Sequence, residues 1–174
     1  KVNFFFLWQY GDYELLNFIV ARNIKRDKIE GILGYIPTKK FDSSLVNNDN
    51  WGAIWKIKQG ASPGLGIVLL NYLNNSKENT TYAAIGISDI AKNIYTHLGY
   101  KLGYLNHFFC TSSNKKKNEI IQISRASKYK KYENNSIFKE IDCLENISLN
   151  HTYYPSKSIQ YLVERYHNHP IYQY

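Results

Sequence analysis

Between Trp51 and Tyr100 the chain reads as strand, glycine turn, helix, strand and helix in unbroken succession, and this stretch most constrains the fold. Trp51, Ala53, Trp55 and Ile57 alternate with Gly52, Ile54, Lys56 and Lys58, the period-2 pattern of a half-buried strand with those four on one face. Pro63-Gly64-Leu65-Gly66 follows, and the apolar run Ile67–Leu73 then suits a buried helix. Two glycines at a strand-to-helix junction leave no Cβ to hold a ligand off the main chain. The first amides of a helix lack internal partners and lie at its positive end, so this junction can receive an anion.

The second unit has the same order. Thr81–Ile87 is an apolar strand, and Ser88 is placed to cap the helix that follows, with Asp89 in its first turn. Ile90, Ala91, Ile94, Tyr95 and Leu98 form its apolar stripe. Gly99 supplies a left-handed stop, and Tyr100 lies just beyond.

On these residues the segment resembles the GNAT family of acyl-CoA-dependent N-acyltransferases. That family carries a pyrophosphate loop of the form Arg/Gln-x-x-Gly-x-Gly/Ala after its fourth strand. Gly64 and Gly66 match the small positions, whereas Ala61 stands where Arg or Gln is usual. The family's later helix often reads Asn-x-x-Ala-x-x-x-Tyr-x-x-x-Gly-Phe, and here Ser88, Ala91, Tyr95, Gly99 and Tyr100 occupy those places. The wording WGAIWKIK, PGLG, AIGIS, IYTHLGYKLGYLNHFF and HPIYQY is similar to GNAT-like acyltransferases of bacterial surface-polysaccharide gene clusters.

The rest of the chain reads around this centre. Residues 1–10 end a helix, Gly11-Asp12 breaks it, and Leu15–Ala21 and Ile29–Ile36 are strands joined by a charged turn over Arg22–Lys28. Phe41–Asn50 is a polar loop, Lys101–Cys110 and Glu119–Ser124 are further strands, and Ser156–Tyr166 is a helix after Pro155 with Ile159, Leu162, Val163 and Tyr166 inward. The expected fold class is α+β, a mixed and largely antiparallel sheet with flanking helices. Read through the resemblance, residues 1–125 are a GNAT acyltransferase domain lacking its first strand and helices. Residues 126–174 are then a linker and the start of a second GNAT-like half.

The net charge of +8 favours anionic partners, yet the lysines and arginines fall in scattered turns without a nucleic-acid motif, so DNA binding is not expected. Two cysteines, Cys110 and Cys143, make neither a disulfide framework nor a zinc motif, which fits a reducing cytoplasm. Phe4–Trp8 is too short to span a bilayer. His167 and His169 have no evident third ligand, and no metal site is expected.

Transfer from a thioester to an amine needs a polarised carbonyl, a base for the ammonium proton and an acid for the thiolate. The resemblance implies that main-chain amides near Ile54, Trp55 and Lys56 hold the pantetheine and acyl carbonyl. It places Gly64, Leu65, Gly66 and Ile67 on the pyrophosphate, with Ser62, Ser88 and Ala91 beside the acyl donor, and makes Tyr95 the general acid. Tyr95 also lies on an apolar stripe and can equally be a packing residue. His107 is the candidate base, and Glu30 and Asp42 are alternatives acting through water. The expected reaction moves an acetyl or other acyl group from acetyl-CoA or a related thioester to an amine of a small-molecule or nucleotide-sugar acceptor. The rival readings are an aminoacyl-tRNA-dependent peptidoglycan-precursor transferase of the tandem-GNAT class and a non-catalytic GNAT-fold binding module.

Overall fold

The computed structural model describes residues 2–12, 15–76, 81–105 and 154–171. In chain order these form α1 (Val2–Tyr10), β1 (Gly11–Asp12), β2 (Leu15–Leu16), β3 (Phe18–Asn23), β4 (Lys28–Pro37), β5 (Asn50–Ile57), α2 (Leu65–Asn74), β6 (Tyr82–Ala84), α3 (Asp89–His97) and α4 (Ile159–Leu162). A 3₁₀ turn at Thr38–Lys40 follows β4, and α4 runs on into a wider π turn at Val163–His167. The main sheet has the order β3-β4-β5-β6, antiparallel except for the last pair. The α+β expectation, a mixed and mostly antiparallel sheet with flanking helices, is met.

Each face of the sheet carries its own core. On one, Leu33 of β4 packs with Leu69, Leu70 and Leu73 of α2 and Tyr95 of α3, joined by Trp55, Ile57, Tyr82 and Tyr100. On the other, Tyr10, Ile36, Phe41 and Tyr161 pack with Phe18, Trp51 and Ile54. Trp51 and Trp55 therefore face opposite sides, contrary to the one-face reading of Trp51, Ala53, Trp55 and Ile57. The cause is a bulge in β5. Gly34 pairs with Ile54 but Tyr35 pairs with Gly52, which leaves Ala53 unmatched and exposed. One extra residue reverses every later side chain in a period-2 strand.

Beyond the bulge β5 loses its other neighbour. β6 pairs with β5 only from Asn50 to Gly52 and ends at Ala84, so the strand expected over Thr81–Ile87 is cut to three residues. Between Lys101 and Leu105 the chain has no regular structure, whereas a strand was expected to start there, and the rest of that strand and the one at 119–124 lie outside the described residues. In α3 the expected stripe is only partly inward, for Tyr95 is buried and Ile90 is 75% exposed. In α4 the buried residue is Tyr161, Leu162 of the expected set packs against the same core, and Tyr166 is exposed.

Two buried carboxylates tie the C-terminal segment to the sheet. Asp49 is fully buried and accepts from Thr81 Oγ1 at 2.6 Å and from the Ser156 amide at 2.7 Å. Asp42 accepts from Ser158 Oγ and from Ser44 Oγ and N. Burial pushes the Asp42 carboxyl up, but these bonds outweigh it and hold the group below its ordinary range. Its contribution is therefore present above the unfolded carboxyl value near 4 and fades as pH falls through the lowered one. Replacing Asp49 with Ala would strand two half-buried donors. Asp49→Ala should lower the unfolding free energy by about 2–4 kcal/mol in a urea titration, against about 1 kcal/mol for Thr81→Val.

Candidate functional site

Where β5 and β6 part, two cavities open side by side. The inner one, about 200 Å³, lies at the apex between the strands and is lined by Gly52, Ile54, Trp55, Tyr82, Ser88 and Tyr95 among others. The outer one, about 660 Å³, runs from Trp55, Lys56 and Ile57 across Ser62–Ile67 to Ser88, Ala91 and Ile94. Trp55, Ser88 and Ala91 border both. The cleft brings together Ile54, Trp55, Lys56, Ser62, Gly64, Leu65, Gly66, Ile67, Ser88, Ala91 and Tyr95, residues that the sequence spreads over three elements and their turns. His107 lies outside the described residues.

The backbone phase of β5 decides which amides reach the cleft. Lys58 N donates to Glu30 O on β4 at 2.8 Å. Alternation in an antiparallel ladder then turns Lys56 and Ile54 toward β4, and leaves the N–H and C=O of Trp55 and Ile57 on the β6 side, where β6 no longer reaches. Trp55, and not its neighbours Ile54 and Lys56, thus offers a main-chain donor to the cleft.

The far end is the start of α2. Gly64 sits at the N-cap with φ 78°, a left-handed conformation that favours glycine, and no side chain caps the helix. Ser88 by contrast caps α3, accepting from Ala91 N at 3.3 Å, and Asp89 stands in its first turn. The dipole of α2 is therefore left open toward the cleft, and Lys56 is the one charged residue lining either cavity among the described residues. The bareness of Gly66 also serves the packing. A Cβ there would stand 3.2 Å from Cζ2 and Nε1 of Trp55, so Gly66 makes room for the indole.

Tyr95 closes the apex. It is 4% exposed, with its ring 5.4 Å from Trp55 and 5.1 Å from Tyr100. Its hydroxyl lies 3.0 Å from that of Tyr82, a partner that the sequence reading missed. Burial pushes the Tyr95 phenol up, the bond from Tyr82 opposes this, and the nearby Tyr100 adds to the rise. The sequence signal for α3's end was sound. Gly99, at φ 80°, donates to Thr96 O and Tyr100 N donates to Tyr95 O, the paired bonds of a left-handed helix stop, which swing the Tyr100 ring onto Tyr95.

The alternative bases sit elsewhere. Glu30 accepts from Asn23 Nδ2 at 2.9 Å at the edge of β4, and Asp42 is engaged with Ser44 and Ser158 under the opposite face. Neither lines the cleft. Among the described residues no group of side chains could hold a metal ion, and no helix is long and apolar enough to cross a membrane. A separate polar groove of about 590 Å³, bordered by Asn17, Lys39, Asn48 and Ser76, holds none of the expected site residues.

No known family profile matches the chain, and no curated protein does. Among solved structures it is similar to a Pyrococcus furiosus protein assigned as an acetyl transferase, at 19% identity and a TM-score of 0.42, over 54% of this chain and 64% of that one. It is similar also to an aminoglycoside acetyltransferase from an uncultured soil metagenomic sample, at 19% identity and 0.42, over 57% and 69%. The overlap spans less than two thirds of the Pyrococcus chain. Both neighbours are named for acetyl transfer, and the fold class here rests on the strand order and helix placement, not on these overlaps.

The two glycines should respond differently. Gly64→Ala adds a Cβ into open space, and its cost is the left-handed conformation, about 1 kcal/mol. Gly66→Val drives into the Trp55 ring and should cost about 1–3 kcal/mol while shifting the tryptophan emission. Thermal unfolding followed by fluorescence separates the two.

Proposed function

We propose that the chain is an acyl-CoA-dependent acyltransferase of the GNAT type. The observation that carries this reading is the cleft itself, which runs from an uncapped helix start to a buried phenol past an unpaired strand edge. A thioester donor with a pyrophosphate fits this order of groups. The amides of Gly66 and Ile67, at the positive end of α2, face the pyrophosphate, with Lys56 beside it. The Trp55 amide donates to the acyl carbonyl and steadies the oxyanion that forms there. Acetyl-CoA is the expected donor, and an amine on a small or sugar-linked molecule is the expected acceptor.

In the reaction the amine nitrogen attacks the carbonyl carbon, a C–N bond forms and the C–S bond breaks. The departing sulfur takes the phenolic proton of Tyr95, and the surplus proton of the new ammonium passes to water, from which Tyr95 is reprotonated. Nothing in this sequence needs a metal or an oxidant. Because burial raises the Tyr95 phenol above its ordinary value of 10, the acid form that the step requires persists through neutral and moderately alkaline solution.

Calorimetry with acetyl-CoA tests the donor directly, and absence of binding by the folded chain would remove this reading. Tyr95→Phe should leave acetyl-CoA affinity unchanged and lower turnover roughly ten- to a thousandfold. The pH profile of kcat should show no descending limb from this group below pH 10. A silent Tyr95→Phe would make the residue a packing element only.

A further inference from the structure

We infer that Tyr82 is a positioning residue for proton transfer, its hydroxyl held against the bare backbone of Gly52 so that it donates to Tyr95 as Tyr95 gives up its proton. The inference rests on the acyltransferase reading of the cleft and assigns a second phenol to it. Three observations on different elements meet at this point. Tyr82 opens β6 and its hydroxyl lies 3.0 Å from Tyr95 on α3. Gly52, on the last rung that β5 shares with β6, leaves the space that this hydroxyl fills, for a Cβ at 52 would stand 1.9 Å from Tyr82 Oη and 2.5 Å from Cζ. Both phenols line the apex cavity. Any residue but glycine at 52 would move the Tyr82 ring, so strand geometry and the phenol pair are fixed together.

The chemistry of the pair has a direction. A phenol has one proton, and if Tyr95 donates it to Tyr82 it has none to offer to the cleft. With Tyr82 as donor, the Tyr95 O–H is free for the departing sulfur. Transfer from an ordinary phenol near 10 to a thiolate whose acid is near 8.5 runs uphill by about 2 kcal/mol. Burial makes it steeper, since it disfavours the phenolate. Once Tyr95 has lost its proton, the phenolate can only accept, and the Tyr82 O–H then makes a charge-assisted bond to it, stronger than the neutral bond before transfer. The interaction is thus greater after the proton moves than before, as catalysis requires. Tyr82 keeps its own proton because burial and its neighbours Tyr95 and Tyr100 push it well above the ordinary phenol value.

The other ionisable group facing the pair is Tyr100, whose hydroxyl accepts from Asn74 Nδ2 of α2 at 2.6 Å. Lys56 lines the outer cavity only, and among the described residues no carboxylate or histidine borders either cavity. The Tyr82 hydroxyl is accordingly the local donor available to the Tyr95 phenolate.

The test uses Tyr82→Phe, which keeps the ring, and Gly52→Ala, which displaces the hydroxyl without touching either tyrosine. Tyrosine labelled with ¹³C at Cζ reports ionisation by NMR, the Tyr95 signal being the one lost in Tyr95→Phe. In parallel, CoA release from acetyl-CoA is followed over pH with water as acceptor. In both variants Tyr95 should ionise at higher pH than in the parent, kcat should fall roughly tenfold, and KM for acetyl-CoA should hold. An unchanged Tyr95 ionisation in Tyr82→Phe overturns the inference, and so does a shifted ionisation with unchanged kcat. If the parent neither binds nor cleaves acetyl-CoA, the acyltransferase reading falls and this role for Tyr82 with it. A Tyr95 shift in that case shows that the phenols are coupled for packing alone.

Discussion

The unmatched residue Ala53 in β5 is the constraint on which the rest depends. Up to Gly52 the strand is paired on both edges, with β4 and β6. Past the bulge it is paired with β4 alone and its side chains have changed faces. Trp51 and Ile54 then belong to the core under α1 and the C-terminal segment, and Trp55 and Ile57 to the core under α2 and α3. A strand that ran straight on would bring Trp55 out of that second core and keep β6 in register. The cleft would close as the ladder filled it. An exposed stretch of unpaired strand is ordinarily a liability, open to pairing with other chains. Here helices flank it, and the residues on its rim come from α2 and α3.

Packing and site share residues to an unusual degree along this edge. Trp55 lines the cleft, stacks near Tyr95 and sits against Gly66, so its ring couples the start of α2 to the start of the phenol pair. Gly64 and Gly66 divide the work between them. The first supplies a left-handed turn into the helix, and the second lets the indole approach its first turn. No side chain caps α2; Leu65 N donates to Ser62 O, and the amides of Gly66 and Ile67 are left to solvent or a ligand, whereas Ser88 and Ser158 cap α3 and α4. The missing side-chain cap costs roughly a few tenths of a kcal/mol, since glycine is itself a tolerated N-cap residue.

What the sequence made legible were the features set by local chemistry. The cap at Ser88, the stop at Gly99 and the junction at Gly64 each follow from a residue or two and their backbone preferences, and each stands where expected. The cleft residues were legible as a group because the resemblance gathers them. The bulge at Ala53 was not, since WGAIWKIK alternates well enough by itself and the slip exists only against β4. Tyr82 was missed for a similar reason, for among so many tyrosines a strand-opening one has no local mark, and its meaning comes from Gly52 across the ladder and Tyr95 two elements later. Tyr161 was passed over because a helical period was carried through Val163–His167, where the winding widens and the facing changes.

The apex of the cleft is poor in charge, and its two hydroxyls depend on one another. Buried phenols resist ionisation, and burial pushes the Tyr95 phenol up. A second hydroxyl fixed at hydrogen-bond distance changes the balance only in the ionised state, because there it replaces water that burial has removed. Its value depends on staying where it is, since a freely turning hydroxyl would need ordering at the moment of transfer. Gly52 supplies that fixity by admitting the Tyr82 hydroxyl and no alternative with a Cβ. The rung at which β5 and β6 separate is therefore both the start of the opening and the support of the phenol pair within it. A side chain at position 52 would displace the Tyr82 hydroxyl and with it the contact to Tyr95.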